Sequence, residues 1–400
     1  MKAVVFHGLG DIRLDDVPEP EIASEFDAIV RLTASAICGT DLHFIRGTMA
    51  GVEPGTILGH EGVGIVEAVG EGVRNLKVGD RVVIPSTVAC GYCSYCRAGY
   101  YAQCDNANPH GPGTAFYGGP KEAGGLNGMQ AEKVRVPFAH VNLVTLPDAV
   151  SDDEAILISD IFPTGYFGAD MADIKPGHTV AVLGCGPVGQ FAIASARLLG
   201  AGRVIAIDQH EDRLEMARAQ GAETVDFGRE DPVETVKRLT GGIGVDSVID
   251  AVGVDAEHAH SGPAAQHPAP GKAKDASPDA RSDKKTWKAG DGPMQALAWA
   301  VDMVAKAGTM SIIGVYPPTD NLFPIGAAMN KNLTIRMGNC NHRKYIPMLV
   351  ERVRSGEVVP TRILTQREPL SDVLSAYEAF DQRRPGWIKV ELKPAARQAG

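Results

Sequence analysis

The sequence predicts an α/β protein with two domains, a doubly wound parallel sheet and a second, mostly β domain. A chain of 400 residues exceeds the usual size of one hydrophobic core. Residues 1–150 hold short Val/Ile runs between Gly, Pro and Asp turns, at 63–69, 81–84 and 133–136. Such runs predict strands. We therefore predict a mostly β domain at 1–150, completed by 340–400, and the parallel-sheet domain at 151–339.

Strands alternate with helices in the second domain, which is typical of a parallel sheet covered on both faces. The apolar runs predict strands at 180–184, 203–208, 223–227, 246–250, 309–314 and 332–337, with helices at 188–199, 212–220 and 294–306. The tail predicts a helix at 344–355, an element near 360–365, a helix at 371–382 and a strand at 386–392.

One segment, the predicted insertion at 253–293, breaks this alternation. From 255 onward it has no Ile, Leu, Val, Phe, Met or Tyr and is rich in Ala, Pro, Gly, Lys and Asp. Such a composition buries too little apolar area to form a core, so we expect a long surface insertion. Two interpretations stay open: a mobile loop, or a segment that folds over a ligand or a neighbouring subunit.

Charge and cysteine content restrict the partners and the compartment. The formal net charge of −10 argues against nucleic acid and anionic membranes as partners. We find neither a signal peptide nor an apolar run long enough to span a bilayer. Seven cysteines, an odd number, with four at metal-binding spacing, fit a reducing compartment. We therefore expect a cytoplasmic protein that acts on a small molecule.

Four cysteines follow one another closely, at Cys90, Cys93, Cys96 and Cys104. One loop can fold four such thiolates around a single ion, and unpaired cysteines rarely recur at this spacing. Since a closed tetrahedral shell leaves no vacancy, we predict a structural zinc site.

A second zinc site is predicted from Cys38 and from His60. Thr40 and His43 follow Cys38, and Glu61 follows His60. A lone thiol and imidazole leave a coordination position open for substrate, which is typical of catalytic zinc. Asp41 is expected to bond the second nitrogen of His60 and fix its tautomer.

The third protein ligand of that zinc is less obvious. Asp160, in the string Ser-Asp-Ile-Phe-Pro-Thr-Gly-Tyr, is the best candidate. The alternative is a helix N-cap or a solvated acid.

A glycine-rich turn lies between a predicted strand and a predicted helix, the context that gives such a pattern its meaning. Its residues are Gly184, Cys185, Gly186, Pro187, Val188 and Gly189. We predict that the turn binds a dinucleotide pyrophosphate. Asp208 ends the next strand, where a carboxylate bonds the ribose hydroxyls and repels a 2′-phosphate, so NAD is favoured over NADP. Arg213 could instead meet that phosphate.

These motifs, in this order, resemble the zinc-containing medium-chain alcohol dehydrogenases over nearly the whole chain. The resemblance implies a GroES-like catalytic domain, a Rossmann NAD domain, two Zn²⁺ per chain and a homodimer or homotetramer. Two features are similar to the glutathione-independent formaldehyde dehydrogenase branch: Asp160, at a position that is cysteine in most relatives, and the long insertion. In that branch a similar insertion covers the adenine side of NAD. Gly39 departs from several relatives, which have a basic residue there.

The resemblance also implies roles for the site residues. Zinc on Cys38, His60 and Asp160 would bind the substrate oxygen, and Thr40 would pass its proton through the cofactor ribose to a solvent-facing His43. Thr164 would lie near the nicotinamide, and Glu61 would approach the metal during ligand exchange.

The function predicted on this basis is hydride transfer from a primary alcohol or aldehyde hydrate to NAD. A polyol or threonine-type zinc dehydrogenase is one alternative. A dinucleotide-binding redox sensor without turnover is another. Phe44, Phe116, Met129 and Phe167 are candidates for lining the substrate pocket.

Overall fold

The computed structural model describes residues 1–269, 287–317 and 322–395. Contacts within the chain divide it into two units. Unit 1 comprises Met1–Pro163, Asp279–Lys288 and Cys340–Gly400, and unit 2 comprises Thr164–Pro278 and Ala289–Asn339. In the described part of the chain, no helix combines the length and hydrophobicity that a membrane span requires.

The strands of the described residues are β1 (Lys2–Gly8), β2 (Asp11–Asp16), β3 (Ala28–Ile37), β4 (Gly62–Val69), β5 (Arg81–Ile84), β6 (Lys133–Val136), β7 (Val144–Thr145), β8 (Thr179–Leu183), β9 (Arg203–Asp208), β10 (Glu223–Asp226), β11 (Val245–Asp250), β12 (Val304–Ile312), β13 (Thr334–Met337), β14 (Gln366–Pro369) and β15 (Val390–Lys393). The α-helices are α1 (Gly39–Arg46), α2 (Ser94–Arg97), α3 (Ala139–Asn142), α4 (Asp152–Ser159), α5 (Ile161–Met171), α6 (Pro187–Leu198), α7 (Glu211–Ala219), α8 (Pro232–Leu239), α9 (Gln295–Met303), α10 (Ile325–Asn330), α11 (His342–Arg354) and α12 (Val373–Asp381).

Unit 1 is built on a mixed sheet with the strand order β14-β15-β3-β4-β5-β7, and β6 also pairs with β3. The antiparallel register places Ser35 of β3 opposite Gly62 of β4. It also places Ile37 opposite Val390 of β15. The end of β3 and the starts of β4 and β15 therefore lie side by side, at the same end of these strands. This end of the sheet positions the site described below.

Unit 2 is a parallel six-stranded sheet with the order β10-β9-β8-β11-β12-β13. Side chains along β8 alternate between two buried clusters, Val180 and Val182 in one and Ala181 and Leu183 in the other. Both faces of the strand are buried, as expected for a sheet with helices on each side. The two-domain fold with a doubly wound parallel sheet and a separate mostly β unit is confirmed.

Several predicted boundaries differ from the structure. Unit 2 begins at Thr164 instead of residue 151, because α4 packs on β3, β4 and β5 of unit 1. The helix predicted at 294–306 ends at Met303, and the β-branched Val304 already pairs with Val245 in the sheet. In the tail, the element near 360–365 is a 3₁₀ helix at Pro360–Arg362, and the last strand is confined to β15.

The described parts of the insertion are more buried than its composition predicts. Residues 270–286 lie outside the described part of the chain. Before that gap, four small residues pack into the core of unit 2 instead of covering its surface, namely Ala256, Ala259, Ala264 and Ala269. Trp287 is buried in a unit 1 cluster, and its backbone N–H donates to the Asp381 carboxylate.

Candidate metal sites and cofactor turn

The four clustered cysteines lie around helix α2 and form what we call the four-cysteine cluster: Cys90, Cys93, Cys96 and Cys104. Their sulfurs all lie within 4.8 Å of one another, and each cysteine is a free thiol. Backbone N–H groups donate to the sulfurs, from Cys93 to Cys90 at 3.3 Å and from Cys96 to Cys93 at 3.4 Å. Burial would raise the pKa of Cys93, but hydrogen bonds from the backbone N–H groups of Cys96 and Asp105 and from the neighbouring thiols lower it to about 7. The donor set fits one tetrahedral zinc with a closed shell.

A second group of donors, which we call the mixed cluster, is formed by Cys38, His60, Glu61 and Asp160. Their ligand atoms also lie within 4.8 Å of one another, and all four residues are buried. Oδ2 of Asp160 lies 3.7 Å from the Cys38 sulfur and 3.4 Å from Nε2 of His60. Asp160 is only 7% exposed, so it points into the cluster and not into solvent. It directly follows α4 and directly precedes α5.

The sheet of unit 1 brings these residues together. Cys38 directly follows β3, and His60 and Glu61 directly precede β4. The end of β3 pairs with the start of β4, so these residues lie at the same end of the sheet. The Ser35 hydroxyl donates to the Glu61 carbonyl oxygen at 3.0 Å. Two segments distant in sequence therefore meet through strand pairing.

Electrostatics in the mixed cluster favour a bound cation. Burial opposes charge on His60, yet Asp41, Cys38 and Asp160 raise its pKa well above the usual value. Burial would raise the pKa of Asp160, but His342 and His60 hold it well below its usual range. Burial also raises the pKa of the Cys38 thiol. Thiol, imidazole and carboxylate crowded in a buried place are the donors that zinc takes in catalytic sites, so the cluster fits such an ion.

Asp41 connects several parts of this site. Its Oδ2 accepts from the backbone N–H of Cys38 at 2.9 Å and from the Gln130 amide at 3.2 Å. Its Oδ1 lies 3.3 Å from Nδ1 of His60, the nitrogen that faces away from Asp160. Tyr377 in turn donates to Gln130 at 2.9 Å. The carboxylate is therefore oriented by groups from three parts of unit 1.

Three further residues of the site were missed in the sequence. Nε2 of His342 lies 2.7 Å from Oδ1 of Asp160. The Ser159 hydroxyl donates to the Ile84 carbonyl at 2.6 Å and accepts from the Gly62 N–H at 2.9 Å. The Lys389 ammonium donates to both oxygens of Glu61 at 2.6 Å. Nothing in the local pattern marks these residues, because each meets its partner only through the fold.

The two expected proton carriers lie at different depths. The Thr40 hydroxyl lies 4.0 Å from the Cys38 sulfur. His43 is buried, with Nδ1 3.0 Å from the Thr48 hydroxyl. The expectation that His43 reaches solvent is therefore wrong, because the face of α1 that carries His43 packs inward.

The four candidate pocket residues also differ in where they lie and what they contact. Met129 is fully buried in the unit 1 core. The rings of Phe44 and Phe116 stack with centroids 6.0 Å apart, and Phe116 meets the His60 ring edge-on at 6.4 Å. Phe167 is a buried residue of unit 2. Phe116, which is partly exposed, is thus the pocket candidate that contacts the mixed cluster.

The glycine-rich turn joins β8 to α6 in unit 2. Gly184 has φ +83°, which favours glycine, and a Cβ on Gly189 would lie 1.8 Å from the Gly184 carbonyl oxygen. Pro187 is the first residue of α6, Gly186 precedes it, and Val188 follows it. Only glycine lets strand and helix approach this closely, as a pyrophosphate-binding turn requires.

Asp208, at the end of β9, is held beside this turn. Its Oδ2 accepts from the Cys185 N–H at 2.8 Å, and its Oδ1 accepts from the N–H groups of Gln209 at 2.7 Å and His210 at 2.9 Å. The Arg213 guanidinium lies 3.9 Å from Oδ2. Burial would raise the pKa of Asp208, but Arg213 and the N–H donors lower it. Thr164 lies on α5, at the first position of unit 2.

Comparison with known proteins gives consistent matches. The model of the alcohol dehydrogenase GroES-like domain matches residues 24–148, and that of the zinc-binding dehydrogenases matches 187–261. The chain is 40% identical to the uncharacterized zinc-type alcohol dehydrogenase-like protein AdhB of Bacillus subtilis, covering 98% of this chain and 100% of the relative. It is 36% identical to glutathione-independent formaldehyde dehydrogenase of Pseudomonas aeruginosa, with 96% of each chain covered. Among solved structures, alcohol dehydrogenase TADH from Thermus sp. ATN1 matches with a TM-score of 0.81 and 37% identity, over 99% of this chain and 100% of that one.

Proposed function

Because the chain belongs to the zinc-containing medium-chain alcohol dehydrogenases and is an oxidoreductase of that type, we propose that it oxidises a primary alcohol or an aldehyde hydrate such as hydrated formaldehyde. The proposed hydride acceptor is NAD. The observation that carries this proposal is the mixed cluster, in which Cys38, His60 and Asp160 converge on one buried point.

The donor set supports the reaction type. Zinc bound by these residues would polarise the substrate oxygen and lower the pKa of its hydroxyl. A carboxylate donates less charge than a thiolate, so Asp160 in place of a cysteine leaves the metal a stronger Lewis acid. Thr40, beside the Cys38 sulfur, is proposed to accept the hydroxyl proton while passing its own proton on through the cofactor ribose toward His43, which is buried further along the same helix. This assignment supports oxidation of a hydroxyl-bearing carbon.

The surroundings support a small substrate. Phe116 lies edge-on against the His60 ring, and Phe44 stacks on Phe116. Two aromatic rings next to a metal ligand present an apolar surface, which offers no hydrogen-bond partners to a chain of several hydroxyl groups. The relative from Pseudomonas aeruginosa carries the name of a formaldehyde dehydrogenase, which also supports this substrate class for the present chain.

The choice of NAD over NADP rests on Asp208. Its buried carboxylate keeps a low pKa and is therefore negatively charged, which favours ribose hydroxyls and repels a 2′-phosphate. Arg213 already lies near this charge, which leaves it less available to a phosphate. The proposed NAD site comprises Gly184, Gly186, Pro187, Val188, Gly189, Asp208 and Arg213, with Thr164 toward the nicotinamide.

The test combines metal analysis with a substrate panel. We expect about two zinc ions per purified chain, and NADH formation with formaldehyde and short primary alcohols. Preference for sorbitol or threonine would instead identify a polyol or threonine-type enzyme. One zinc per chain and no turnover of any substrate would identify a dinucleotide-binding protein without catalysis. Denaturing the protein and assaying for released NAD(H) shows whether the cofactor is retained, and comparing NAD with NADP tests the role of Asp208.

A further inference from the structure

The two carboxylate oxygens of Asp160 have different neighbours. Oδ2 faces the other donors, 3.7 Å from the Cys38 sulfur and 3.4 Å from Nε2 of His60. Oδ1 lies 2.7 Å from Nε2 of His342. Oδ2 is thus turned toward the point where the donors converge, and Oδ1 contacts a residue outside the mixed cluster.

His342 is itself locked in place. It is buried and begins helix α11. Its second ring nitrogen, Nδ1, lies 3.0 Å from the Thr87 hydroxyl, which also lies 3.4 Å from the Cys340 carbonyl oxygen. An ionised Asp160 carboxylate only accepts, so Nε2 of His342 must hold a proton to donate to it. In the neutral ring Nδ1 then accepts, and the single proton of the Thr87 hydroxyl serves it in preference to the more distant Cys340 carbonyl oxygen.

The neighbouring residue anchors the same end of the helix. The Asn341 side-chain oxygen accepts from the backbone N–H of Ala102 at 2.9 Å, two residues before Cys104 of the four-cysteine cluster. The start of α11 is therefore tied on one side to that loop and on the other to Asp160. This gives His342 a fixed position instead of a freely rotating one.

We propose that His342 is a positioning residue for the zinc ligand Asp160, and that Thr87 sets the orientation of the His342 ring. The inference rests on the proposed function, because it takes Asp160 to be a zinc ligand. A thiolate offers one donor atom, whereas a carboxylate offers two and can rotate. Holding Oδ1 on His342 leaves Oδ2 for the metal. The aspartate at this position thus depends on the histidine from a distant part of the chain.

The experiment measures metal retention together with turnover. His342→Ala should release one of the two zinc ions to a chelator about 10–100 times faster than the unchanged protein does, and should lower kcat/KM with formaldehyde by a similar factor. The other zinc stays bound to the four-cysteine cluster and is an internal reference. His342→Gln keeps an N–H donor and should recover much of the loss, and Thr87→Val should give a smaller loss than His342→Ala.

His140→Ala is the matched control, since His140 is a partly buried histidine of the same unit that packs on Phe26 outside the site. If His342→Ala releases zinc at the rate of the unchanged protein, the inference is wrong. Should His342→Ala not fold, Thr87→Val takes its place in this test. Replacing the released ion with Co²⁺ gives a second readout, because a displaced Asp160 alters the cobalt absorption spectrum. One zinc per chain in the unchanged protein would instead contradict the proposed function.

Discussion

The two metal clusters of unit 1 hold their donors in opposite ways. The four-cysteine cluster comes from one short stretch, and backbone N–H groups of that stretch donate to its sulfurs. The mixed cluster takes its donors from three distant segments, around Cys38, His60 and Asp160. Each of its charged donors has a side-chain partner from yet another segment. A local cluster thus orders its own loop, whereas a mixed cluster depends on the whole unit.

The largest expected effect tests the mixed cluster directly. His60→Ala removes an imidazole nitrogen donor and should lower NADH formation at least about 1,000-fold, since losing the metal removes several kcal/mol of transition-state stabilisation. His140→Ala, a change of the same size outside the site, should keep most of the activity. Initial rates with formaldehyde and NAD measure both variants. Full activity of His60→Ala would show that this histidine is not a ligand and would leave only one metal cluster.

The same contrast explains which parts of the site could be predicted from the sequence. The four cysteines are recognisable because their spacing in the sequence by itself indicates a metal site. Cys38 and His60 are recognisable by their local neighbours, and Asp160 is a weaker prediction, the best candidate for a third ligand that the family resemblance then supports. His342 and Lys389 give no local signal, because their role arises from the packing of α11 and from the pairing of β15 with β3.

For the fold, the alternation of strands and helices predicted the parallel sheet, because burial on both faces produces continuous apolar runs such as β8. Boundaries were less predictable. The apolar residues of helix α4 are compatible with the core of either unit, and only the packing of α4 on β3, β4 and β5 assigns it to unit 1. The part of the insertion before residue 270 was misjudged because its alanines, which count little as core residues in a sequence, pack into the core of unit 2.

The next effect concerns the charge balance of the mixed cluster. The Lys389–Glu61 ion pair is fully buried, and Glu61 raises the pKa of Lys389 against the effect of burial. Lys389→Met leaves a buried carboxylate without its counter-charge and should cost about 3–5 kcal/mol of unfolding free energy. Thermal melting should show a drop of roughly 10 °C in Tm. The double variant Lys389→Met, Glu61→Gln should recover more than half of that drop, and equal Tm values for the single and double variants would contradict this account.

A smaller effect is expected in the four-cysteine cluster. Cys93→Ala opens its closed shell and should lower Tm by roughly 5–10 °C, because metal binding contributes directly to the folding of such loops. Turnover per folded molecule should change little, since none of the four cysteines is a donor of the mixed cluster. Cys340→Ala, a buried cysteine outside both clusters, is the control for Tm. Loss of turnover without loss of Tm would reverse the assignment of the structural and catalytic sites.

The smallest effect is expected at a second buried carboxylate, Glu391, which in the described part of the chain lacks the close partner that Lys389 provides for Glu61. Glu391 is buried on β15, two residues from Lys389, and neither of its carboxylate oxygens accepts a hydrogen bond from the residues described in the structure. Lys393 lies 3.5 Å away and Arg367 3.9 Å away. Burial raises the pKa of Glu391 to about 7, although these cations oppose it.

This raised pKa predicts a pH dependence of stability. Below about pH 4 the carboxyl is protonated in both folded and unfolded chains. As the pH rises toward 7, the unfolded chain releases the proton while the folded chain keeps it, so the unfolding free energy falls, by at most about 3 kcal/mol. Glu391→Gln removes this charge, and its Tm relative to the unchanged protein should therefore be higher at pH 8 than at pH 5. The exposed Glu378→Gln should show no such difference, and a pH-independent Tm difference for Glu391→Gln would mean that Glu391 is charged throughout this range and that Lys393 and Arg367 are sufficient partners.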